Sequence, residues 1–157
     1  GRAFVTLGDL VSELYVTARV EGGDAEARIG GQLGVPAGGT VVVTVRFLDP
    51  AGPNHHGDTP RVSRDDLITG DVGGHVTDRS ADTNATTRVV ARRGENDWTS
   101  DGPYRQLTAR LEDVSVDGYL RVRGTNGSEP EPTPDPRGED PWSDLWFYSN
   151  PIFLDVR

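Results

Sequence analysis

The sequence predicts an all-β fold, an antiparallel β-sandwich of about seven to nine strands joined by long polar loops, with a β-barrel as the runner-up architecture. Three observations predict it. Apolar residues alternate with polar ones at period two in several separate stretches, Gly and Pro clusters punctuate the chain at short intervals, and helix signals are scarce. The 157 residues suit one domain spanning 1–157, with room for a core between two sheets.

The stretches follow in order. Ala3 to Leu7 reads as a short strand ended by Gly8-Asp9. Leu14, Val16, Ala18 and Val20 share one face of the next strand; Leu10 to Leu14 has the spacing to begin as a helical turn, which the β-branched residues after it disfavour. Ala25 to Val35 is ambiguous because Gly30-Gly31 interrupts it. Thr40 to Leu48 is the strongest strand of the first half, with Val41, Val43, Val45 and Phe47 on one side, and Asp49-Pro50 ends it. Further strands are expected at Arg64 to Asp71, Thr86 to Arg93, Tyr104 to Leu111 and Gly118 to Arg123, the last closing on an Arg-Val-Arg edge. Residues 124–144 form an acidic, Pro-rich loop in which Pro130, Pro132, Pro134 and Pro136 alternate and favour extended backbone. After Asn150-Pro151, Ile152, Leu154 and Val156 alternate again, a closing strand that must insert into a sheet made by earlier segments.

Composition excludes several functions. There is no Cys, so disulfides, thiolate metal sites and Cys nucleophiles are ruled out. A net charge of −9, with six carboxylates against Arg137 alone over residues 129–144, repels nucleic acid at long range. No run is long and apolar enough for a membrane span. All basic residues are Arg, a bias expected of a GC-rich coding sequence or a salt-adapted source. The first residue is Gly rather than Met, which suggests a processed or excised piece.

Candidate chemistry is sparse. His55-His56-Gly57-Asp58 places two imidazoles and a carboxylate in one loop, but adjacent side chains on extended backbone diverge, which disfavours a shared metal; His75 lies in another loop. Asp78, Asp82 and Asn84 offer clustered oxygen donors of the kind calcium takes, although the regular chelating-loop spacing is missing and Asp and Asn are also common turn residues. Asp65-Asp66 are consecutive, so on a strand they face opposite ways and cannot share an acid–base site. No serine sits in a Gly-x-Ser-x-Gly turn. Trp98, Trp142 and Trp146 fall in or beside loops; they suit stacking on sugar rings, as in a carbohydrate- or cell-surface-binding module, or pinning of the Pro-rich loop onto the sheet.

Short motifs spread through the chain carry a resemblance. Gly1-Arg-Ala-Phe-Val-Thr6, Asp65-Asp-Leu-Ile-Thr-Gly70, Asp135-Pro-Arg-Gly-Glu-Asp-Pro141 and Tyr148-Ser-Asn-Pro-Ile-Phe-Leu-Asp-Val156 resemble segments of secreted bacterial metal-dependent phosphoesterases of the polymerase-and-histidinol-phosphatase (PHP) type. In that family the metals are held by an N-terminal domain that starts with a His-x-His pair, which this chain lacks. The resemblance therefore implies a C-terminal, non-catalytic β-sandwich of an exported hydrolase, whose partner is the catalytic domain of the same protein, and it transfers no functional residue to this chain.

Overall fold

Strands with one apolar face hide it best when two sheets turn those faces toward each other. The computed structural model, which describes residues 1–78, 80–128 and 137–157, does this with two separate sheets that do not close into a barrel. Twelve strands occur among the described residues, and no α-helix. They are β1 (Phe4–Thr6), β2 (Glu13–Val20), β3 (Glu26–Arg28), β4 (Gln32–Val35), β5 (Gly39–Leu48), β6 (Arg64–Asp71), β7 (Arg88–Gly94), β8 (Thr99–Asp101), β9 (Tyr104–Val114), β10 (Gly118–Thr125), β11 (Trp146–Ser149) and β12 (Ile152–Val156).

The five-stranded sheet runs β3-β2-β5-β9-β8, all antiparallel. In the seven-stranded sheet β10 is central. It pairs with β6 along one edge, while its other edge is shared end to end by β11 and β12. The Asn150-Pro151 break thus divides one long lane into two short strands, because Pro has no N–H to give the ladder. Beyond that lane lie β1, against β11, and β4, parallel to β12; β7 completes the opposite side against β6.

The alternation read from the sequence sets what faces inward. Val41, Val43, Val45 and Phe47 of β5 meet Leu120 and Val122 of β10 and Ile152 and Leu154 of β12 in one continuous core. Phe47 lies at its centre, 6.2 Å from the Phe147 ring and edge-on to Trp98 at 5.3 Å.

Several expectations change. The strand count exceeds the expected range because short lanes split: Ala25 to Val35 becomes β3 in one sheet and β4 in the other. Gly30, at φ +75°, makes the corner, and a Cβ there would lie 2.2 Å from the Gly1 carbonyl oxygen. Leu10 and Val11 form no helical turn but plug the core after a left-handed Gly8-Asp9 turn. Arg121-Val122-Arg123 is not an edge; its arginines point off the face of the most central strand. The acidic loop starts later than expected, since Gly124 and Thr125 belong to β10. Most of its prolines (130–136) lie outside the described residues.

Candidate functional site

Alternation on β10 buries Leu120 and Val122 and turns Tyr119, Arg121 and Arg123 to the outer face of the seven-stranded sheet. On the neighbouring β6 the same geometry sends Leu67 inward and Asp66 and Ile68 outward. Asp66 is only 1 % exposed, because arginines close over it. Arg92 Nε donates to Oδ1 at 2.7 Å and Arg123 Nε to Oδ2 at 3.0 Å, with Arg64 Nε 3.7 Å away. Burial pushes the Asp66 carboxyl up, but the hydrogen bonds and charges of Arg92 and Arg123 outweigh it and hold it below the usual value. Arg64 and Arg123 also lie over the Trp146 ring, 5.7 and 5.4 Å from its centroid.

Next to this clamp the face opens into a groove of about 880 Å³, floored by Ile68, Val89, Tyr119, Arg121 and Phe153. Tyr119 is pinned. Its ring occupies the space above Gly70, where a Cβ would come within 2.5 Å of the hydroxyl oxygen, and that oxygen lies 2.6 Å from Thr87 Oγ1. Phe153 is 44 % exposed. Asp82, Asn84 and Thr87 form a polar rim. The rim is tied to the end of β6: Asn84 Nδ2 donates to the Asp71 carbonyl at 2.9 Å, and Asp71 N–H donates to Thr86 Oγ1 at 2.8 Å. Arg121 differs from the arginines around Asp66 in forming no ion pair with a described carboxylate. Its Nε is sealed from solvent and has no acceptor among the described residues.

The other side of β6 carries a contrasting carboxyl. Asp65 faces the interior, 1 % exposed, and accepts one hydrogen bond from Trp98 Nε1 at 3.1 Å. Burial pushes its pKa up to about 7; the Trp98 bond opposes that rise and the Asp66 charge adds to it. As expected for consecutive strand residues, the two carboxyls are not one acid–base pair.

The tryptophans are engaged with the fold separately, and no ring contact joins them among the described residues. Trp98 packs edge-on to Phe47 under Arg105. Trp146 is 5 % exposed, stacked near Tyr148 with its Nε1 donating to Asp144, so it offers no open ring face. Trp142 lies parallel to the His56 ring at 5.0 Å and packs partly against the core, the pinning geometry.

His56 also meets Asp58, Nδ1 to Oδ2 at 2.7 Å, in a turn organised by Asn54, whose Oδ1 accepts from both of their backbone N–H groups. The hydrogen bond to Asp58 raises the imidazole pKa above its ordinary value. An imidazole–carboxylate pair needs a hydroxyl or thiol beside it to act as a triad. The serine on the Trp142 side, Ser143, donates instead to Glu139 and the Asp140 carbonyl. His55 and His75 are exposed and take no part.

Among the calcium candidates, Asp78 Oδ1 accepts from the Ser80 N–H and hydroxyl, and Asn84 Oδ1 from the Thr86 N–H and hydroxyl; both make local turns. Asp82 lies on the groove rim. No group of three or more His, Asp or Glu side chains with metal-holding geometry occurs among the described residues.

Sequence reasoning passed over Tyr119, Arg121, Val89 and Phe153. The alternation Tyr119-Leu-Arg-Val-Arg123 did carry a signal, two cations and an aromatic on one strand face. What it lacked was the neighbour list that makes a face into a groove. No protein-family model matches the chain, and neither a curated protein nor a solved structure is significantly similar to it.

Proposed function

We propose that this chain is a non-catalytic recognition domain, a β-sandwich that holds an extended ligand on the outer face of its seven-stranded sheet. The observation that carries this reading is the groove floored by Tyr119, Arg121 and Phe153. It combines fixed aromatic surface, a polar rim and a cation, the ingredients of a site that recognises a ligand rather than transforming one. The motifs resembling PHP-type phosphoesterases extend the proposal: the domain serves as an accessory piece of an exported hydrolase, bringing a catalytic domain to its substrate. Sugar polymers are the favoured ligand class, with the groove in place of a tryptophan platform.

Affinity electrophoresis through gels containing soluble polysaccharides tests the reading. Retardation by at least one polymer, weakened by Phe153→Ala, is the expected result. Unchanged migration in every polymer contradicts it, as does robust metal-dependent hydrolysis of a phosphate ester by this chain alone.

A further inference from the structure

We infer that the ligand of this groove is an acidic sugar polymer, whose carboxylate or phosphate groups are taken by Arg121. The inference rests on the recognition reading and names its chemistry. Four facts converge on it. First, Arg88 and Arg121 line the groove without an ion pair to any described carboxylate, against Asp82 as the one acidic residue of its described lining, on a chain whose net charge is −9. Charges beyond roughly 8 Å are screened at physiological ionic strength, so a bound anion responds to this local excess of cations more than to the overall charge. Second, Asp66 is already matched by Arg92 and Arg123, whereas Arg121 forms no ion pair with any described carboxylate. Arg121 is only half-buried, so the part of its guanidinium that faces the groove can give an incoming oxyanion a charge-assisted hydrogen bond.

Third, Arg121 has Tyr119 as its near neighbour along β10 and shares the groove floor with Phe153, aromatic surface suited to the apolar face of a sugar ring. Fourth, the rim keeps hydrogen-bonding capacity for ring hydroxyls: the second N–H of the Asn84 amide, and the remaining capacity of the bonded Thr87 and Tyr119 hydroxyls. A nucleic acid carries a denser line of phosphates and meets stronger repulsion from the rest of this acidic chain, which favours the sparser charge of a glycan.

The test is titration calorimetry of the whole chain with four probes: polygalacturonate, the same polymer fully methyl-esterified, a phosphomannan and a thymidine oligonucleotide. Binding of polygalacturonate or phosphomannan about tenfold or more tighter than the ester is expected, falling with added NaCl and lost to a similar degree in Arg121→Gln. Whichever acidic polymer binds more tightly tells carboxylate from phosphate. Equal binding of acid and ester, still weakened by Phe153→Ala, removes the acidic ligand but leaves the recognition reading standing. Acid-selective binding that Arg121→Gln does not alter, in a variant with unchanged circular dichroism, overturns the assignment to Arg121. Tighter binding of the oligonucleotide than of either acidic glycan overturns the inference, as does no binding of any probe, while the recognition reading falls only if migration is also unchanged in every polymer of the electrophoresis.

Discussion

The outer faces of the two sheets are built from the same residue types and reach opposite outcomes. On the five-stranded sheet, Glu13 Oε2 accepts hydrogen bonds from both Tyr15 and Tyr104, at 2.6 and 2.9 Å. Arg46 lies 3.8 Å above the Tyr104 ring and pairs with Asp101 at 2.9 Å. Arginine, tyrosine and carboxylate there answer one another, so the groove of about 540 Å³ beside Tyr15 and Arg46 finds the Arg46 guanidinium already engaged. On the seven-stranded sheet the same chemistry is split: Asp66 draws Arg92 and Arg123 inward, while Arg121, two residues from Arg123 on the same strand face, is left beside Tyr119 and Phe153. Aromatic and basic residues on a sheet therefore do not make a site. On the proposed reading, the balance of acceptors and cations does.

The comparison can be broken most severely at Asp66. Asp66→Ala leaves Arg92, Arg123 and Arg64 facing one another over a buried gap, and removing one partner of such a cluster costs about 4 kcal/mol. Urea unfolding at pH 7 should show a loss of that order. A loss near zero would mean the clamp does not organise this face. The next effect is on the inner side of β6. Asp65 has its pKa raised from 3.8 to about 7, so the stability it permits is fully present below pH 4 and is lost as pH rises through 7. Asp65→Asn should match the wild type near pH 4 and exceed it by about 3 kcal/mol at pH 8, with Asn Oδ1 still accepting from Trp98. Equal stabilities at pH 8 would contradict a pKa of Asp65 raised by burial.

Substituting the cations of the two outer faces sharpens the contrast directly. Arg46→Gln should cost less than about 1 kcal/mol, as exposed ion pairs do, and leave ligand binding intact, whereas Arg121→Gln should weaken binding about tenfold with little change in stability. The smallest effect belongs to the loop dyad. Asp58→Asn should bring the His56 pKa, followed by NMR, back down toward the ordinary value near 6.5, and leave the groove unaffected. A pKa unmoved by Asp58→Asn would show that the His56–Asp58 contact is not formed in solution.

How far these features were legible in the sequence depended on whether they are local or cooperative. Val41 to Phe47 and Ile152 to Val156 announce strands because alternation needs only the chain itself, and the opposed directions of Asp65 and Asp66 follow from the same period. The closing stretch also signalled that it would enter an existing sheet, and it does, between β10 and its outer neighbours β1 and β4. The corner at Gly30 was not legible, since its φ is fixed by the approach of the Gly1 backbone from the distant end of the chain. The groove was hidden for a similar reason. Val89, Tyr119 and Phe153 come from three strands, and only their pairing lines them up. The tryptophans drew attention because they are rare, yet Trp146 is covered by two arginines whose positions depend on Asp66.

The most direct test of the account is amide chemical-shift mapping of the whole chain during titration with polygalacturonate, comparing the two outer faces in one experiment. The account predicts saturable shifts at Ile68, Val89, Tyr119, Arg121 and Phe153, with Tyr15, Arg46 and Tyr104 unmoved. Shifts confined to the five-stranded sheet, or to the Trp142 and His56 loop, would contradict it.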